Sequence, residues 1–377
     1  MTLQPLLALD LGATKVACVV GMPRENAQGF ELLGSSLIAY PTSSEAWLSD
    51  PLLMSRVIEH AVEAAAVPHE FHRAIIGIHP TSLSSEHVRV SIPLADEPIG
   101  VRTQDLKRLE AGALHQALAI DREPLLVERL GCSGNGFDGV PDPRGLPASR
   151  LAGTFHIVAM PVASRRAVLQ AVESAGLEIA QLRYTLPATL ASGAEDAGRS
   201  RLLLIDVGGL TTDIGWFVDG VLRAVELRPW GGWRMAETIA KTLKVTMDQA
   251  ITWSLEGKKC RKPEVRELLE SEWALLRQSI DKVLAGQPKP DLVLVGGRGA
   301  LIDGFAEWVE RSTGVRTALC RSPRTNQLGD VSRQIGLSSA IGLLELATRT
   351  APGPSLGSPK LFNRLIDRTR LILTDYF

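Results

Sequence analysis

Two segments of this 377-residue chain share one pattern, and that repetition constrains the fold more than any other feature. LLALDLGATKVACVVG runs from Leu6 to Gly21, and LLLIDVGGLTTDIGWFVDG runs from Leu202 to Gly220. Each is a β-rich apolar run ending in Asp, then x-Gly and a short polar turn, then a second β-rich run. That order predicts strand, glycine turn, strand. Asp10 and Asp206 stand 196 positions apart (206 − 10), so the repeat is domain-sized and predicts a duplicated α/β unit. A third segment, DLVLVGGRGALIDGFAEWVERS from Asp291, reads as a buried strand, a Gly-Gly turn and a helix starting near Ala300.

Helical spacing is clearest at Ser164–Ala175, Met235–Leu243, Pro263–Leu284 and Ser338–Ala347. Residues 85–162 differ in texture. They read as an alternating strand at His87–Ile92, a helix around Gln104–Leu118, a Gly/Pro-rich loop from Gly131 to Pro147 and a strand near Thr154–Met160. A compact α/β insertion is the simplest organisation. TAPGPSLGSP, at 350–359, has linker composition and precedes one short amphipathic segment.

Composition narrows the function classes. The apolar set is 45% and charged residues 22%, as in globular proteins, and a net charge of −1 supplies no basic field for nucleic acid. Cys18, Cys132, Cys260 and Cys320 form no CxxC pair, which argues against a zinc site or a disulfide framework. The seven histidines show no paired-ligand spacing and read as surface or satisfied core residues. The first residues have no basic n-region, and no run reaches the roughly 18 apolar residues of a membrane span. Any membrane contact is therefore expected to be peripheral.

A phosphate chain needs backbone N–H donors and a route to a divalent cation. Gly-rich turns present the donors because no Cβ blocks close approach. A carboxylate at each strand end can hold Mg²⁺, usually through water. Alone, each hairpin reads more readily as an ordinary turn; two copies at domain spacing predict a two-sided clamp. Asp10, Gly12, Ala13, Thr14 and Lys15 form one side, and Asp206, Gly208, Gly209, Leu210, Thr211 and Thr212 the other. Asp10 and Asp206 are the expected Mg²⁺ carboxylates, and Lys15 the phosphate charge. Gly231 and Gly232 stand ahead of a helix start, a place for phosphate or ribose. Gly296, Gly297 and Arg298 are placed against the nucleoside. Trp230 and Trp233, which bracket that glycine pair, read as core or as the pocket wall.

DLGATK, DVGGLTTDI, PWGGWRMAETIAKTL and LVLVGGRGALIDGF, in that order, resemble the phosphate-1, phosphate-2, Gly-Gly-helix and adenosine motifs of the actin-like superfamily. Gly153–Gly193 and Asp142–Leu151 are similar to segments in and after the inserted 1C subdomain of the FtsA family of bacterial cell division proteins. The resemblance implies an α/β, actin-like two-lobed fold with duplicated units, binding ATP and Mg²⁺. It implies a first lobe at 1–84 and 163–197, an insertion at 85–162 and a second lobe at 198–234 and 291–349. It further implies a shortened 2B subdomain at 235–290 and a linker at 350–358. It also implies assembly on FtsZ, self-association, contact with later division proteins, and a place on the cytoplasmic side of the membrane at the division site. Leu210 replaces a glycine of the family's DIGGGTTD, which is expected to restrict that turn. Leu186 stands before Pro187, where DnaK-type chaperones carry a catalytic Glu, so slow or absent hydrolysis is expected. A PilM-like pilus-assembly adaptor and, further off, a sugar kinase or ATPase of the same superfamily are the rival readings.

On a helical projection of Pro359–Phe377, Leu361, Phe362, Leu365, Ile366, Ile372, Leu373, Tyr376 and Phe377 share one face of about 160°. Arg364 and Arg368 border or oppose it. Such a helix either docks on its own domain or lies in a membrane interface. The flexible lead at 350–359 favours the interface, and FtsA-family chains end in the same way.

Overall fold

The computed structural model describes residues 3–25, 29–40, 50–193, 201–255 and 263–349. The expected linker and amphipathic helix therefore lie outside the described residues.

Along the chain, β1 (Leu6–Leu11), β2 (Lys15–Pro23) and β3 (Phe30–Ala39) lead through α1 (Pro51–Ala64) into β4 (Arg73–Ile78). The insertion follows as β5 (Ser84–Pro93), β6 (Ile99–Gly100), α2 (Thr103–Ala117), β7 (Arg122–Gly134), β8 (Phe137–Val140), β9 (Pro147–Ala148) and β10 (Arg150–Pro161). Then come α3 (Val162–Ser174), β11 (Glu178–Tyr184) and α4 (Thr185–Ser192). The second half begins with β12 (Arg201–Val207), β13 (Thr212–Val218) and β14 (Val221–Arg228). It continues through α5 (Gly232–Leu243), α6 (Met247–Leu255), α7 (Pro263–Leu284), β15 (Leu292–Gly296), α8 (Phe305–Thr313), β16 (Thr317–Leu319), α9 (Val331–Gly336) and α10 (Ser338–Thr348).

The predicted duplication is real. One five-stranded sheet runs β11-β4-β1-β2-β3 and the other β16-β15-β12-β13-β14, with the same pairing senses at every step. In each, the hairpin's first strand lies at the sheet centre and is buried on both faces, so its sequence is a continuous apolar run and not an alternating one. Registers match too: Asp10 pairs with Gly77, and Asp206 with Gly296. Helices α1 and α3 pack together beside the first sheet, while α4 and α10 pack together beneath β1 and beside the second lobe.

The insertion has its own four-stranded sheet, β5-β10-β7-β8, with α2 across it. Two local expectations change here and in the second lobe. The expected loop from Gly131 to Pro147 is a hairpin as far as Val140, where Asn135-Gly136 makes the turn with Gly136 at φ +79°, and residues 141–146 are loop as expected. After β15 a short 3₁₀ turn, Arg298–Leu301, intervenes, and α8 starts only at Phe305 because Gly304 sits at φ +83°, outside the helical range. No helix among the described residues is long and apolar enough to cross a membrane.

Candidate functional site

The two hairpin turns close in the same way. Gly12 N–H donates to the Lys15 carbonyl at 3.0 Å, and Gly208 N–H to the Thr211 carbonyl at 2.9 Å. They face one another across a cleft of about 250 Å³. Asp10, Gly12, Ala13, Thr14, Lys15, Asp206, Gly208, Gly209, Thr211, Gly232 and Arg298 line it with Gly297. Gly209 lies directly on the Thr14 side chain, so a Cβ there would clash across the lobes.

Four expected residues do not line the cleft. Leu210 is half-buried outside it, and it is not among the residues with positive φ, so this turn accepts a side chain at that position without backbone strain. Thr212 is buried and its hydroxyl donates to the Trp230 carbonyl at 2.8 Å. Gly231 packs on the Gly208 and Gly209 carbonyls, where a Cβ would come within 2.6 Å. Gly296 lies beneath Asp206 and Thr189. The α5 N-terminus serves the turn first: the amides of Gly232 and Trp233 donate to the Gly208 and Gly209 carbonyls at 2.9 and 2.8 Å. Trp233 walls the cleft, whereas Trp230 is core, its indole N–H reaching Glu272 at 2.9 Å.

Charge is concentrated at the floor. Asp10 and Asp206 are both buried. Lys15 Nζ donates to the Gly336 carbonyl at 2.7 Å and stands 3.7 Å from Asp10. Burial pulls the Lys15 ammonium below its usual range, against the pull of Asp10. Burial likewise raises the Asp206 carboxyl, partly offset by His79 and by the Thr189 hydroxyl, which donates at 2.9 Å.

His79 is the residue that sequence reasoning missed. It follows β4 and lines the cleft. Its Nδ1–H donates to Asp213 at 3.1 Å, and its Nε2 stands 3.7 Å from Asp10 Oδ1. The Tyr184 hydroxyl donates to the other Asp213 oxygen at 2.6 Å. Burial alone would lower the His79 pKa, but the Asp213 hydrogen bond and the charges of Asp10, Asp206 and Asp213 prevail and hold it at about 9. A signal did exist: two residues past the strand glycine, the repeat places His79 where the second lobe has Arg298. Extending the repeat to its fourth strand would have found it.

The donor set fits a Mg²⁺-bound phosphate chain. Asp10 Oδ1 is buried and has no hydrogen-bond partner, a state suited to a cation or its water. Among the described residues no three His, Cys, Asp or Glu side chains converge into a protein-only metal site. Mg²⁺ keeps most of its waters and leans on one or two carboxylates plus phosphate, a set that Asp10, Asp206 and a phosphate chain would supply. Leu186, by contrast, is fully buried core and offers the cleft nothing.

Comparison with known proteins adds an independent line. Residues 81–159 match the family described as the SHS2 domain inserted in FTSA. The cell division protein FtsA of Borreliella burgdorferi is 24% identical over 385 residues, covering 90% of each chain. That of Pseudomonas aeruginosa is 25% identical over 255 residues, a match spanning 65% of this chain but only 59% of the relative. The chain is similar to FtsA proteins over most of its length. Among solved structures, the PilM-PilN type IV pilus biogenesis complex superposes with a TM-score of 0.69 at 16% identity, covering 91% of this chain and 97% of that one. MreB5 of Spiroplasma citri bound to ADP gives 0.53 at 12%, covering 92% and 97%. The fold of this chain is thus the actin-like one, with an inserted α/β domain.

Proposed function

We propose that this chain is an ATP-binding cell division protein that tethers FtsZ polymers to the cytoplasmic membrane and self-associates. The observation that carries the nucleotide reading is the cleft between two equivalent Asp-Gly hairpins, with a buried Asp10 oxygen that has no hydrogen-bond partner. Mg·ATP would be held by both turns, with Asp10 and Asp206 on the metal's waters and Lys15 free to trade the Gly336 carbonyl for phosphate. ATP acts as a closing element more than as fuel, since Leu186 supplies no water-activating carboxylate. The partition into lobes, insertion and shortened 2B follows the family resemblance given above. Asp10→Ala and Asp206→Ala are each expected to weaken Mg·ATP binding about 100-fold, the scale for losing a buried charge contact. Calorimetry showing unchanged affinity in both variants would sink the site.

The membrane role rests on the sequence of 359–377 alone. Fully burying one aliphatic or aromatic side chain contributes ~1.5–3 kcal/mol, and each Arg near anionic lipid about 1 kcal/mol. One shallow tail therefore binds weakly and several on a polymer bind well, which favours self-association. Deleting 359–377 should abolish sedimentation with anionic liposomes while leaving the melting temperature unchanged. A truncated chain that still pellets, or that melts early, overturns the anchor. A second reading, an adaptor of the PilM kind, is favoured by the structural likeness. Retained ATP binding with no lipid or FtsZ co-sedimentation would select it.

A further inference from the structure

The insertion belongs to the first lobe by connectivity, since β4 leads into β5 and β10 leads straight into α3. It nevertheless grips the second lobe. On its sheet, His156 of β10 pairs laterally with His87 of β5 and with Glu128 of β7, a polar row across three strands. The row meets β14, the edge strand of the second lobe's sheet. His87 Nε2–H donates to the Arg223 carbonyl at 2.6 Å and His156 Nδ1–H to the Leu222 carbonyl at 3.0 Å. Arg223 returns a guanidinium N–H to the Leu130 carbonyl on β7 at 3.2 Å. The two imidazoles stack at 4.7 Å and 8°. Carbonyls only accept, so both tautomers are fixed; His156 Nε2 then accepts from the Ser85 hydroxyl at 2.9 Å.

Arg223 is also where β14 slips register. Trp216 pairs with Ala224 and Phe217 with Leu222, leaving Arg223 as the extra residue of a bulge. A bulge re-aims a side chain and breaks the ladder, which explains how two successive β14 residues both serve the seam. At its other end β14 stops at Arg228, just before the Trp230–Gly232 turn that packs on the cleft hairpin, and its partner β13 begins at Thr212, next to the cleft residue Thr211. On the insertion's side, β5 starts five residues after His79.

We propose that this seam couples the cleft to the inserted domain, so that ligand-driven movement of the second lobe is transmitted to the insertion through β14. The nucleotide half of this rests on the ATP reading above; the mechanical half does not. The two coupled sites are the cleft and the insertion's surface, and the two states are the seam made and the seam broken.

Amide hydrogen exchange on the full chain, with and without Mg·ATP, tests both halves beside calorimetry of Mg·ATP. His156→Asn keeps a donor near Nδ1 for Leu222, His156→Gln shifts the amide toward Nε2 and Ser85, and Arg223→Ala removes the return bond without touching the core. Without ligand, His156→Gln and Arg223→Ala should speed exchange in β14 and in the 208–211 turn, with His156→Asn close to wild type. With Mg·ATP, exchange in β5 and β10 of the wild type should slow about tenfold, within the usual range for coupled sites, and this slowing should vanish in the same two variants. If ATP binds yet the insertion exchanges unchanged, the coupling is overturned. If ATP does not bind, the cleft reading fails, and the ligand-free comparison alone decides the seam: an unchanged 208–211 turn overturns it, a faster one upholds it.

Discussion

His79 and His156 both lie where the first lobe and its insertion meet the second lobe, yet the protein treats them in opposite ways. At the cleft floor, His79 stands among Asp10, Asp206 and Asp213, which hold it protonated up to a pKa of about 9. In the seam, burial drives His156 down to about 4, a backbone bond to Leu222 resists, and the nearby His87 and Arg223 charges add to the fall. The cleft floor sets the carboxylates of Asp10, Asp206 and Asp213 around His79 and Lys15, and one Asp10 oxygen has ion-pair neighbours but no hydrogen bond. In the seam, His156 is neutral and uses both ring nitrogens within the protein. The difference lies in charge and not in satisfaction, since Arg223 Nε in the seam is also buried without a hydrogen-bond partner: the cleft gathers ionised groups, whereas the seam rests its imidazoles on backbone carbonyls.

The largest effect that would break this comparison is at His79. His79→Ala should lower Mg·ATP affinity about tenfold, because it strips Asp213 of a donor and leaves the floor carboxylates mutually repelling. His79→Asn, which can still donate to Asp213, should recover much of the loss. Titration calorimetry showing equal affinity in all three proteins would reduce His79 to packing.

A smaller effect concerns pH and the seam. The folded pKa of His156 lies below its ordinary 6.5, so its contribution to stability is present above that value and lost as pH falls through about 4. Burial raises Glu128 from 4.5 to about 7, with Arg223 pulling it back, so its contribution is present below about 4.5 and lost as pH rises through about 7. The two oppose each other across the same window. Relative to wild type, Glu128→Gln should therefore lose about 2–4 °C of melting temperature between pH 7 and pH 5, the shift that about 1 kcal/mol gives in a domain of this class. His156→Gln should change in the other direction. Parallel melting curves for all three would show that the row does not titrate as a unit.

The smallest expected effect is at Leu210. Since its backbone needs no positive φ, Leu210→Gly should leave Mg·ATP affinity within about twofold, near the limit of a surface change. Steady-state ATPase should stay below about 1 s⁻¹ in both proteins, at the slow edge of ordinary enzymes. A gain of tenfold in either quantity would mean that the side chain does obstruct the phosphate turn.

What the sequence alone determined is local and repeated. The two hairpins, the helix at Pro263–Leu284 and the strand before Gly296 are each set by neighbours a few residues away, through apolar runs, glycine turns and helical periods. The strand β7 escaped because REPLLVERLGCSG mixes charge into a run buried only in part. Tertiary structure alone decided the rest. His79 meets Asp213 across 134 positions and His87 meets Arg223 across 136, and no local pattern encodes such pairings. Whether a histidine ends at about 9 or about 4 depends on which charges and carbonyls the finished fold brings to its ring. That is a property of three-dimensional proximity, because both burial and Coulomb interaction act through space and not along the chain.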